Sequence, residues 1–241
     1  MKYLLPRKSA GQLLLWTTLA LCGAPTGPPP FENEQLRFNI NWPSGLGLGE
    51  AQLRATRLKP AAETAERRHL EFEVDAAVPG FAVADKYSSD TSADFCSVEF
   101  QKTASHGRKK TDEKTTFDSL SGTATRQTSG GGGKTEMKAS QCGRDALAFL
   151  YFVRRELSQG RIPPRQTVFF GAPYEVRVEF NGTQTIRVGD AHLEADRMTA
   201  SVKGAASDIT FEVFFLKDAA RTPALVRVPL ALGTFTMELI K

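Results

Sequence analysis

The run Gly130-Gly131-Gly132-Gly133-Lys134-Thr135 ends like a phosphate-binding loop. Such a loop needs a Gly where Thr128 stands and an apolar helix after its Thr, so that backbone N–H groups and a helix N-terminus face the phosphates. Glu136-Met137-Lys138 opens no such helix, and the stretch reads as a flexible linker. The three histidines, His69, His106 and His192, have no second ligand at i+2 or i+4, and no Cys or acidic cluster completes a metal site by spacing. No G-x-S-x-G elbow offers a nucleophile. The carboxylate pairs Asp90/Asp94 and Asp112/Glu113 fall in polar stretches, where solvated charge accounts for them. These residues point to a protein without catalytic, metal or cofactor chemistry. Two groupings remain. Cys96 and Cys142 form an even pair, to be read as a disulfide or as two buried thiols. The run His106-Gly107-Arg108-Lys109-Lys110 reads as a solvated hairpin tip, or as an arm in which Arg108, Lys109 and Lys110 touch an anionic surface.

The start of the chain decides between some of these readings. Lys2, Arg7 and Lys8 precede a short apolar run, Leu13 to Leu21, followed by small residues and the breaker-rich Ala24-Pro25-Thr26-Gly27-Pro28-Pro29-Pro30. That order is a secretory leader, too short for a confident membrane span. The expected organisation is a signal peptide at residues 1–23, a Pro-rich linker at 24–33 and one domain at 34–241. Leu21 precedes Cys22, where a lipid-modified cysteine follows a small residue, so ordinary cleavage near residues 20–24 is expected and lipidation at Cys22 is not. Export to the periplasm is the consequence, compatible with association with the outer membrane, and an oxidising compartment favours the disulfide. A bond closing a loop of about 46 residues stabilises by about 4 kcal/mol in the chain-entropy model.

Export also corrects the charge. The chain has 31 basic and 27 acidic residues. Three of the basic ones and none of the acidic ones lie in the leader, so the mature chain is close to neutral and a nucleic-acid partner loses its support.

Two-residue alternation dominates the chain beyond the leader. Leu36, Phe38 and Ile40; Leu70, Phe72 and Val74; Tyr174, Val176, Val178 and Phe180; Ile209, Phe211, Val213 and Phe215; and Phe235, Met237 and Leu239 all alternate with polar residues. Side chains on a strand point to opposite faces in turn, so these are one-sided antiparallel strands. Trp42-Pro43-Ser44-Gly45 turns the chain after the first strand, and Gly47 and Gly49 mark a bulge or sharp curvature. Asn181-Gly182 reads as a hairpin turn pairing Tyr174–Phe180 with Thr183–Val188. One helix is expected at about 145–158, with Asp145 as N-cap, an apolar run from Ala146 to Val153, Arg154-Arg155-Glu156 closing it and Gly160 stopping it. Residues 101–141 differ in kind, with eight basic against four acidic residues and few apolar anchors. They read as a protruding hairpin turning at Asp118–Gly122, then a loop at Gly130–Gly133, the whole excursion bracketed by Cys96 and Cys142.

The helix sequence Asp145-Ala146-Leu147-Ala148-Phe149-Leu150-Tyr151-Phe152-Val153-Arg154 resembles the D-x-L-S-A-L-Y-Y-L-R helix of an exported bacterial family, domain of unknown function 3108. The strand and Gly-rich turn at Leu36–Gly49, the strand Tyr174–Phe180, and the closing Phe214–Pro223 with Leu232–Leu239 fit the same pattern in order. The resemblance spans roughly residues 34–241 and implies an exported antiparallel β domain with no established reaction.

The fold expected is mainly β: one strongly curved antiparallel sheet of about ten to twelve strands, open and barrel-like, with the helix on its concave side. Sixteen Phe residues supply an apolar lining without polar groups. The function expected is that of a non-enzymatic envelope protein holding a lipid-like molecule or envelope component in that shell. The alternatives are an interaction module with a filled interior and a cell-wall hydrolase. No cofactor or metal is expected, and the oligomeric state is left open.

Overall fold

A computed structural model describes residues 31–58, 66–78, 80–205 and 207–240. The leader and nearly all of the Pro-rich segment lie outside the described residues. The folded unit includes Phe31, whose buried ring meets Phe95 at 5.9 Å and Tyr151 at 5.3 Å.

The alternating segments become strands β1 (Glu34–Asn41), β2 (Gly47–Leu58), β3 (Arg67–Val78), β4 (Phe81–Ser92), β5 (Ser97–His106), β6 (Lys109–Asp118), β7 (Thr123–Thr128) and β8 (Lys134–Lys138). After a short β9 (Arg144–Asp145) comes the single helix among the described residues, α1 (Ala146–Ser158). The chain continues through β10 (Gln166–Phe169), β11 (Pro173–Val188), β12 (Ala191–Gly204), β13 (Ser207–Leu216), β14 (Pro223–Leu230) and β15 (Gly233–Ile240). All fifteen strands form one sheet in the order β8-β7-β6-β5-β4-β3-β2-β1-β15-β14-β13-β12-β11-β10-β9. Every neighbouring pair is antiparallel except β9–β10. β1 and β15 join the two halves, with Phe38 opposite Leu239 and Ile40 opposite Met237.

The sheet is larger than the ten to twelve strands expected. Much of the excess comes from residues 101–141, which do not protrude but form most of β5 and all of β6–β8 at the sheet edge. Thr, favoured on a pleated surface, supplies their strand preference in place of apolar alternation. Only a few positions there, such as Ala104, Thr115 and Ala124, are buried. The turns at 119–122 and 129–133 fall where the sequence places them.

Asn181-Gly182 is not a hairpin turn. β11 runs through it, paired with β12 on both sides, and the register slips between Phe180 and Thr183. The positive φ of Gly182 (97°) serves a bulge, while the hairpin turns at Gly189-Asp190. One extra residue reverses the face of every side chain beyond it. Val176 and Val178 accordingly face the main core, whereas Ile186 and Val188 pack with Ala195, Phe214, Leu216 and Leu225 in a second, smaller core.

The sheet curls until its ends meet without a ladder between β8 and β9. Phe117 and Phe169 touch edge-to-face at 5.4 Å, Arg126 donates to the Gly171 carbonyl, and the Ser97 N–H donates to the Gly143 carbonyl at 2.9 Å. Gly49 permits one tight approach, since a Cβ there would collide with the Asp75 carbonyl on β3.

α1 lies inside this curl, and its start is strongly specified. Asp145 Oδ1 accepts from the Leu147 and Ala148 N–H groups, while Oδ2 accepts from the Ser89 and Ser97 hydroxyls. Burial raises the carboxyl's pKa, and those four donors oppose the rise. Asp145→Ala removes the cap and leaves the buried Ser89 and Ser97 hydroxyls without their acceptor. It is expected to cost about 2–4 kcal/mol in chemical denaturation, with Asp145→Asn recovering part of the loss.

The end of the helix departs from expectation. Arg154 is fully buried and forks onto Glu34, Nη1 to Oε2 at 2.7 Å and Nη2 to Oε1 at 2.5 Å. Its Nε donates to the carbonyls of Ala220 and Arg221, and the guanidinium stacks over Phe31 and Tyr151. The Tyr151 hydroxyl donates to Glu34 at 2.9 Å. Burial first, and the Glu34 charge second, hold that phenol far above its usual pKa, so it remains a donor.

Candidate apolar ligand cavity

Because neighbouring strands are antiparallel, their connections alternate between two ends of the curled sheet. α1 closes one end, where Asp145 sits under Ser89 and Ser97 and Tyr151 packs with Phe31 and Phe95. The other end has no helix. Between them lies a cavity of about 650 Å³.

Its floor is the inward face of α1: Leu147, Phe149, Leu150 and Val153. One wall comes from Phe38, Leu53, Phe72, Val74 and Tyr87 on β1–β4. The facing wall comes from β10–β15 and the turn after β10, through residues such as Val168, Phe170, Val178, Met198, Phe211 and Met237. Each wall position is an inward member of a two-residue alternation, so the strand pattern alone places these side chains together. Among the described residues the lining contains no charged side chain, and its only side-chain oxygens are the phenols of Tyr87 and Tyr174. Tyr87 donates to Asp85 at 2.7 Å. Burial first, then that hydrogen bond and the Asp85 charge, push the phenol far above its usual pKa, so it is a neutral donor already engaged.

Exposure changes along the cavity. Leu147, Phe149 and Val153 at the floor are buried and Leu150 is half-buried, while Val74, Tyr174, Val202 and Ile209 are all half-buried. The last three sit near the strand ends away from the helix, which places the mouth at the end α1 leaves open. Native interiors are packed with few voids larger than a water molecule, and a hollow of this size stands apart from them. Its chemistry is restricted. Such a wall takes up hydrocarbon, and charged groups stand only at its flank, where the Lys102 ammonium lies 4.8 Å from the Phe170 ring and Asp85 holds the Tyr87 hydroxyl.

The residues singled out by sequence lie elsewhere. Cys96 and Cys142 form a disulfide with Cα atoms 4.7 Å apart, joining the β4–β5 turn to the segment before α1 at the closed end. Arg108, Lys109 and Lys110 are exposed at the β5–β6 turn. His69 faces outward and shares a 2.6 Å contact with Asp90, while His106 pairs with Asp85 at 2.9 Å. Asp94 pairs with Arg155, so Asp90 and Asp94 do not converge on a shared site. Gly130–Gly133 forms the β7–β8 turn, where the Thr128 N–H donates to the Gly133 carbonyl. Among the described residues no group of three His, Cys, Asp or Glu is placed to hold a metal ion. No helix among them is long and apolar enough to cross a membrane.

Sequence reasoning missed the Arg154–Glu34 pair. A signal was available: Arg154 follows Tyr151 by three residues and Leu147 by seven, on the same buried stripe of the helix.

A curled antiparallel sheet closed at one end by a helix, with an apolar hollow, defines a barrel-like β protein. The chain belongs to the family described as protein of unknown function (DUF3108), whose family model matches residues 37–240. No curated protein matches it. Among solved structures it is similar to a beta-barrel-like protein of domain of unknown function DUF1849 from Brucella abortus. That likeness has a TM-score of 0.62 at 9% identity and covers 88% of this chain and 98% of that one. At that identity the likeness concerns the fold alone.

Proposed function

We propose that this protein is an exported, non-enzymatic envelope protein that holds a lipid-like molecule in its cavity. The observation that carries the reading is a hollow of about 650 Å³ whose lining has no charged side chain. Ligand pockets span roughly 300–1,000 Å³ and are mostly apolar, with a few polar groups that fix orientation. Here the phenols of Tyr87 and Tyr174 are the polar side-chain groups, which suits a hydrocarbon chain better than a polar substrate. A glycosidase acting on cell-wall material would need a pair of carboxylates facing its ligand, and among the described residues none lines this cavity. A filled interaction module would need no hollow. Export is supported by the leader pattern of residues 1–23 and by the disulfide.

Ala200 lines the cavity wall and is buried. Ala200→Phe places a ring in the hollow, so uptake of a fluorescent apolar probe is expected to fall on the order of tenfold, equivalent to about 1.4 kcal/mol. Stability is expected to hold or rise, because the ring fills space rather than displacing packed atoms. Unchanged uptake by a folded Ala200→Phe variant would place probe binding outside the cavity.

A further inference from the structure

The open end of the curl carries a second feature. Seven turns lie at this end, and four that are consecutive in sheet order are those between β5 and β6, β3 and β4, β1 and β2, and β14 and β15. These adjacent turns and strand ends present Phe81 (47% exposed), Leu46 (65%), Leu230 (50%) and Leu232 (71%). Two pairs of these neighbouring turns touch. The Gly107 N–H donates to the Ala82 carbonyl at 2.8 Å, and a Cβ on Gly233 would meet the Pro43 ring. Trp42 packs on Phe235 at 4.9 Å beside Leu46. Exposed apolar groups scattered singly are ordinary, but a row of them along one rim marks a contact surface. At the opposite end Leu58, Leu120 and Ile162 are also exposed, on the β2–β3, β6–β7 and α1–β10 connections, the first two separated by β3 to β5.

Charge selects the partner. The basic run Arg108, Lys109 and Lys110 lies at the turn next to Phe81, whose ring is 6.4 Å from that of His106. Basic residues flanking exposed apolar ones match a bilayer, where the cations meet lipid phosphates and the apolar tips enter the headgroup boundary. The same end holds the cavity mouth. We propose that this rim docks the protein on a lipid bilayer carrying anionic headgroups, so that the hollow opens toward the membrane from which its ligand comes. The docking geometry stands on the rim itself, and its purpose rests on the proposed lipid-holding role of the cavity.

Vesicle flotation tests the docking. The full mature protein is expected to float with vesicles of phosphatidylcholine and phosphatidylglycerol at low ionic strength, and to be released at high salt or with phosphatidylcholine alone. Lys109→Gln and Lys110→Gln are each expected to lower partitioning about fivefold. Leu46→Asp and Leu232→Asp are expected to lower it at least as much, whereas Leu120→Asp at the closed end leaves it unchanged. Absence of flotation overturns the proposal, as does an equal loss with Leu120→Asp. So does a wild type that ignores vesicles while its rim captures an acidic protein. Titration of the wild type with N-phenyl-1-naphthylamine in the absence of vesicles reads the cavity separately. Probe uptake without flotation overturns docking and leaves the cavity reading standing; flotation without uptake supports docking and removes the cavity reading.

Discussion

Arg154→Met is expected to destabilise the protein by about 3–5 kcal/mol, because removing one partner strands the other as an uncompensated buried charge. The guanidinium here is saturated: two bonds to Glu34, two carbonyls at Nε and two aromatic faces. Its loss leaves Glu34 with only the Tyr151 hydroxyl among these partners, and leaves the carbonyls of Ala220 and Arg221 without their donor. Adding Glu34→Leu is expected to recover much of the deficit, since an apolar pair of similar volume is often as stable as a buried ion pair. A double-mutant cycle in urea measures both terms. A loss below about 1 kcal/mol for the single variant, the scale of an exposed ion pair, would mean that Arg154 reaches solvent. The pair also ties the helix to the first residue of β1, so this contact fastens the closed end of the curl.

Removing the disulfide is the second large effect. Cys96→Ser with Cys142→Ser is expected to cost about 4 kcal/mol, with 2–5 kcal/mol the usual range for such bonds. The bond closes a loop of 46 residues that contains β5 to β8, the polar edge of the sheet. Those strands bury few apolar side chains and depend more than the rest on restriction of the unfolded chain. Denaturation with and without reductant measures the cost. Two titratable thiols in the denatured, unreduced protein would contradict the bond. Asp145 lies three residues beyond Cys142, so its substitution and the Cys variants are expected to be non-additive.

The strands that build the cavity were legible because each is apolar on one face only. Phe72 and Val74, Val176 and Val178, and Phe211 and Val213 stand at the alternating positions that the walls require. The helix was legible from Asp145 and the apolar run after it. Three features were not. Asn181-Gly182 tolerates positive φ in a hairpin and in a bulge alike, and only the pairing of β11 with β12 on both sides decides between them. The edge strands β6–β8 carry a pattern of Thr, Lys and Gly that local reasoning assigns to a loop, and they are strands because β5 offers β6 an edge and each in turn offers one to the next. The hollow itself has no local signature. Apolar residues that fill a core and those that line a cavity are of the same types, and only the spacing of the two walls distinguishes them.

The most direct test of the cavity reading is native mass spectrometry of the protein purified without detergent from the periplasm of cells that make it. A bound species with the mass of a single lipid is expected, extractable into organic solvent and absent from Ala200→Phe. A bare chain mass, together with an experimental structure in which Phe211 and Met237 close the hollow, would contradict it.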